Sequence, residues 1–194
     1  KEKFSQGKKN GVSIEYYPDG STKIIAHYSG GLRNGFNSYY NSSGKLHYQD
    51  FYYYDLVVGP ITYFDSLGAP KRYFFVNLEN ETLAHIDYKN WEGINSMLTE
   101  CINFTSNIQV EDTIQKVNLL LYLMQPPMLS FKYSIVKKKV LKKENFVHVL
   151  RLEHRMPFQN ISLPVLSKSE EYFVQLNVFD SLLQKETVII KKVE

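Results

Sequence analysis

Apolar and polar residues alternate in short runs from Val12 to Val76. In the first run Val12, Ile14 and Tyr16 alternate with Ser13 and Glu15, and a second run, from Thr22 to Tyr28, is rich in strand formers. A period of two is the pattern of a strand with one face on a core. Asn10-Gly11 and Asn34-Gly35 supply the positive φ of tight turns, and Asp19-Gly20, Ser43-Gly44 and Leu67-Gly68 mark the turns between paired strands. The pattern repeats. Gly11, Gly35 and Gly59 are 24 residues apart, as are Gly20, Gly44 and Gly68, with Tyr16, Tyr40 and Phe64 at matching places between them. Leu32 and Leu56 keep the same spacing, as do Tyr28 and Tyr52, with Phe4 before them and Val76 after. Each repeat reads as a β-hairpin, and successive hairpins build an extended antiparallel sheet.

Alternation along the chain predicts one apolar face with Val12, Ile14, Tyr16, Ile24, Tyr28, Phe36, Tyr40, Leu46, Tyr48, Tyr52, Phe64, Phe74 and Val76. It predicts a wet face with Ser13, Glu15, Lys23, His27, Lys45, His47, Gln49 and Lys71. Tyr17, Tyr39, Tyr53, Tyr63 and Tyr73 then fall opposite the apolar stripe. Cross-strand packing of rings explains such tyrosines on structural grounds; a ladder of exposed rings would also stack on sugars or receive a protein partner.

The sequence from Gly7 through Asn10-Gly11 to Tyr16-Tyr17 and Gly20 returns as Gly31, Asn34-Gly35, Tyr39-Tyr40 and Gly44, then as Gly59, Tyr63-Phe64 and Gly68. This motif resembles the variant MORN repeats, common in bacterial proteins often labelled antitoxin-like, over about residues 4–88. The third unit departs from it: Gly59 lacks the preceding Lys-Asn and is followed by Pro60. The resemblance implies a repeat sheet. It also implies, as an alternative function, an antitoxin-like partner of an unidentified toxin.

The texture changes after residue 88. Twelve of the 15 tyrosines precede it, and residues 1–88 carry no net charge, whereas residues 89–194 carry the whole +3. Two domains are expected, 1–88 and 89–194. Trp91, Ile94, Leu98 and Cys101 recur at helical spacing behind Asn90, which predicts a short helix over 90–102. Residues 112–124 read as a capped helix stopped by Pro126-Pro127, although Val117–Met124 fits a buried strand as well. Strands follow at 129–137, 146–153, 160–166, 172–179 and 187–192. The fold class expected is mainly β: the repeat sheet, then an α+β or β-sandwich-like unit.

Chemistry is sparse. The single cysteine, Cys101, excludes an internal disulfide and a Cys-cluster metal site, and no metal-binding, phosphate-loop or nucleophile-elbow motif occurs, so neither metal nor cofactor is expected. Arg151, Glu153 and Arg155 share one strand face, where an ion pair is the ordinary reading and a contact with a ligand carboxylate or sugar the functional one. Lys137 to Lys143 holds five lysines, which protect a hairpin connection against edge pairing or touch an anionic surface weakly. The small net charge and the lack of aromatics among these lysines argue against a nucleic-acid partner. No apolar run approaches the length of a membrane-spanning helix. Because the chain opens on Lys1 rather than Met, the expectation is that its natural start was removed, and the near absence of cysteine and the Tyr-rich repeat sheet bear on the setting. A cell-envelope or secreted setting is then favoured over the cytoplasm.

The function expected is a non-catalytic binding or scaffold protein. Its partner would be a protein or a glycan, met by Tyr17, Tyr39, Tyr53, Tyr63, Tyr73, Arg151 and Arg155. The competing expectation is an enzyme whose site lies in 90–194 and draws on His148, Arg151, Glu153 and His154.

Overall fold

The computed structural model describes residues 1–90, 103–111, 114–124, 126–127, 129–139, 147–152, 156–164, 170–181 and 184–193. The chain divides into two compact units, Lys1–Trp91 and Glu92–Glu194. Apart from a short 3-10 turn at Tyr88–Asn90, every regular element among the described residues is a strand.

The first unit contains β1 (Phe4–Ser5), β2 (Lys8–Lys9), β3 (Gly11–Tyr16), β4 (Thr22–Ser29), β5 (Leu32–Arg33), β6 (Gly35–Tyr40), β7 (Leu46–Tyr53), β8 (Leu56–Phe64), β9 (Pro70–Val76) and β10 (Thr82–Asp87). β1 and β2 pair with each other; the others form one antiparallel sheet in the order β10-β9-β8-β7-β6-β4-β3, with β5 also on β4. Ser13 faces Ala26, Asn37 faces Asp50 and Ile61 faces Phe74, so the three hairpins share one register at intervals of 24 residues. The Lys1 amino group donates to the Ile14 carbonyl at 2.7 Å, and the Ile14 N–H donates to the Lys1 carbonyl at 2.7 Å. One repeat later Ile25 and Ser38 hold the same places.

Register corrects the expected faces. Ile14 pairs with Ile25, Ile24 with Tyr39, Tyr39 with Tyr48, Tyr48 with Tyr63 and Tyr63 with Arg72. Paired numbers add to an odd sum each time, so even positions of one strand share a face with odd positions of the next. Val12, Ile14 and Phe36 therefore lie with Ile25, Phe51, Tyr73 and Ile86. Ile24, Tyr48 and Phe74, expected beside Val12 and Ile14, lie on the opposite face with Tyr39 and Tyr63. The sheet has rings on both faces, and the expected division into one apolar and one wet face is wrong.

The second unit contains β11 (Asn103–Glu111), β12 (Ile114–Tyr122), β13 (Leu129–Lys139), β14 (Val147–Arg151), β15 (Phe158–Pro164), β16 (Glu170–Asp180) and β17 (Lys185–Lys192). They form two antiparallel sheets, β11-β12-β15 and β14-β13-β16-β17. Leu119, Leu121, Ile161 and Leu163 bury one face of the first. Phe131, Tyr133, Ile135, Val174, Leu176 and Val178 bury one face of the second. The Met124 N–H donates to the Tyr133 hydroxyl at 3.2 Å, and the Lys191 ammonium lies 5.1 Å from the Phe104 ring centroid, so both contacts link the two sheets.

Of the two readings open for 112–124, a capped helix and a buried strand, the strand is the one formed, as β12. β12 is flanked on both sides, and its apolar run Leu119 to Tyr122 supplies apolar groups to both faces of a central strand, which periodicity cannot separate from a buried helix. The α+β alternative for this unit is not supported, since its regular elements among the described residues are all strands. Of the helix expected over 90–102, residues 91–102 lie outside the described residues. The five expected strands are present with small shifts at their ends, and β11 was not foreseen.

Candidate binding surface

Tyr39, Tyr48 and Tyr63 occupy one row on neighbouring strands, where cross-strand side chains come into contact. Their ring centroids are 4.8 Å and 5.0 Å apart, with 37° between planes in each pair. Phe74 meets Tyr63 edge to face at 6.1 Å, and His85 stacks on Phe74 at 4.5 Å, 4° from parallel. The ladder crosses five strands from β6 to β10. At such spacings the rings overlap rather than lie flat side by side, so neighbours cover much of each ring face. The Arg72 guanidinium lies over Tyr63 at 5.1 Å, and that of Arg33 lies over Tyr52 at 5.0 Å. Both are attracted by the negative face of the ring.

A buried polar group sits in the row beside this ladder. Asp50 is 1% exposed and Asn37 is fully buried. The Tyr48 hydroxyl donates to Asp50 Oδ2 at 2.6 Å, and the His27 N–H donates to Asn37 Oδ1 at 3.0 Å. Asp50 Oδ1 and Asn37 Nδ2 have no hydrogen-bond partner among the described residues. Burial pushes the Asp50 carboxyl above its usual range, against the opposing pull of Tyr48, Arg33 and Tyr52. Burial also holds the Tyr48 and Tyr39 phenols well above their ordinary value, with the neighbouring Asp50 acting in the same direction. Both therefore stay protonated at neutral pH, and the Tyr48 hydroxyl is the donor to Asp50. Arg33 donates to the Tyr52 hydroxyl at 3.1 Å and stays charged.

The residues expected to form a site are scattered. Tyr39 and Tyr63 lie in the ladder, joined by Tyr48, which had been placed on the other face. The Tyr17 hydroxyl donates to the Tyr40 carbonyl at 2.8 Å beside the first turn. Tyr53 lies on the opposite face at the end of β7, its ring 4.9 Å from Tyr54. Tyr73 is also on that face and fully buried, so its expected role as an exposed contact is overturned. Arg151 ends β14 opposite Ser134, and His148 lies opposite Val136. Glu153, His154 and Arg155 lie outside the described residues. Lys137 to Lys139 belong to β13 rather than to a connection, and 140–143 lie outside the described residues. Asn37 and Asp50 were missed. Their signal was available, since the repeat has Ser13 and Ala26 at their places in the first unit and Ile61 and Phe74 in the third.

His47 and Lys71, with Lys89 and Asp65, line an open concavity of about 690 Å³ near the hairpin turns. Among the described residues no group of three His, Cys, Asp or Glu side chains is placed to hold a metal ion, and no helix is long and apolar enough to cross a membrane. Comparison of the sequence with protein-family models and with curated proteins finds no match.

Proposed function

We propose that this chain is a non-catalytic binding or scaffold protein, and that its first unit is a MORN-variant repeat sheet offering the Tyr39–Tyr48–Tyr63 ladder to a protein partner. The ladder itself supports this reading. Its rings cover one another, so a sugar finds few free ring faces, while a protein surface can pack on ring edges and on the exposed Arg72. Tyrosine and arginine are the side chains that most often dominate such contacts, because they offer large area with few rotatable bonds or several donors.

The test is a selection of binders from a displayed peptide library against the whole chain, followed by affinity measurements on its variants. Tyr39→Ala and Tyr63→Ala should each weaken the selected binders about tenfold or more, which corresponds to the loss of a contact worth roughly 1.4 kcal/mol or more. Tyr39→Phe should weaken them less. Unchanged affinity in both alanine variants would reduce the ladder to scaffolding.

A further inference from the structure

The sheet β11-β12-β15 buries one face and turns a polar one outward. Register puts Thr105, Leu120 and Asn160 in one row, and Asn107, Asn118 and Ser162 in the next. The alternate residues Leu119, Leu121, Ile161 and Leu163 are buried on the other face. Together the two rows line an open concavity of about 500 Å³. Strands hold asparagine poorly, because it packs badly on a pleated surface and competes for backbone hydrogen bonds. Three asparagines therefore stand on one small face, where valine or threonine would serve the sheet better. Asn118 is tied across the strands by Ser162, whereas Asn107 and Asn160 run against the strand preference, and local preferences give way most often where a site has been built.

We propose that this face binds a neutral polyhydroxylated ligand, a saccharide chain. Amide and hydroxyl side chains both donate and accept, as sugar hydroxyls do. Neighbouring strands and alternate residues set these groups on a grid of about 4.8 Å by about 7 Å, so several hydroxyls of one chain are met together. The Ser162 hydroxyl donates to Asn118 Oδ1, which commits that carbonyl and leaves the Asn118 amide N–H groups as the donating side. Leu120, between Thr105 and Asn160, offers an apolar contact for the C–H face of a sugar ring. The five polar groups carry no charge, and among the described residues the cation sharing the face is Lys116, at the far end of β12 opposite Pro164. A neutral ligand fits this better than an acidic one. The site is separate from the tyrosine ladder and does not depend on the reading given to it.

The experiment uses the whole chain with cellohexaose, maltohexaose, chitohexaose and, as the charged comparison, a galacturonic acid hexamer, followed by ligand-observed NMR and titration calorimetry. At least one neutral hexamer should bind. Asn118→Ala should weaken it about threefold to tenfold, the loss expected for one hydrogen bond. Asn107→Val and Asn160→Val should weaken it similarly while leaving the thermal midpoint equal or higher, since they relieve an unfavourable strand residue. The proposal is overturned if no neutral hexamer binds, if only the acidic one does, or if binding ignores these substitutions. It is also overturned if the valine variants lose stability, for then the asparagines serve the fold. Sugar binding lost with Tyr39→Ala but kept with Asn118→Ala would overturn it as well.

Discussion

Asp50 and Asn37 face each other across β7 and β6 in the row where the other repeats carry small or apolar residues. A buried polar atom without a partner costs roughly 1–3 kcal/mol, so this row gives the repeat sheet less stability than an apolar pair would. Because burial raises the Asp50 value in the folded state, the folded chain binds a proton more tightly than the unfolded chain does. The stability held by neutral Asp50 is full below the ordinary carboxylate value near pH ~4 and is lost as pH rises through the raised folded value. Asn in its place never ionises. Asp50→Asn should therefore be more stable than the parent at pH 7, and the difference should shrink as pH falls toward ~4. Urea midpoints at several pH values would show this. Asp19 and Asp65, held below their usual range by hydrogen bonds from Ser21 and from the Ala69 backbone, act in the opposite sense. They do so in both proteins, so the difference isolates Asp50.

Among the hairpin elements, the turn glycines differ in what surrounds them. Gly35 has φ +121°, and a Cβ there would lie 3.1 Å from the His27 Cβ on the next strand; Gly44 has φ +77° with open space around it. Alanine at Gly44 meets backbone strain alone, about 1 kcal/mol, whereas at Gly35 strain and crowding add, for roughly 2–3 kcal/mol. Chemical denaturation should rank Gly35→Ala below Gly44→Ala, and equal losses would mean that β4 and β6 yield to the added methyl. Hairpins were legible because the glycines and asparagines repeat at 24. Their faces were not, because alternation fixes which residues of one strand share a side, while the odd register sum between strands is set by the turns and bulges. β12 shows the same limit. Its run of leucines is equally consistent with a helix until β11 and β15 are seen on its two sides.

For the whole molecule, exposed apolar groups on a free strand edge carry a solubility risk. β17 ends the order β14-β13-β16-β17, and on it Val188 is 55% and Ile190 42% exposed on the same side. An edge of this kind invites pairing with another chain, and lysine is a common guard against it. The double variant Val188→Lys with Ile190→Lys should keep its unfolding free energy within about 1 kcal/mol of the parent while reducing concentration-dependent light scattering. Scattering that does not fall would mean that this edge is not where copies meet.

The amino-acid sequence alone determined the repeat, its period, the hairpins and most later strands, since turn chemistry and a period of two act within a few neighbouring residues. Tertiary structure alone decided which tyrosines stand together, that Tyr73 is buried, that 114–122 is a strand, and that three asparagines from three strands share one face. Each of these depends on how distant segments pair across a sheet, and pairing leaves no mark in the local pattern of either partner.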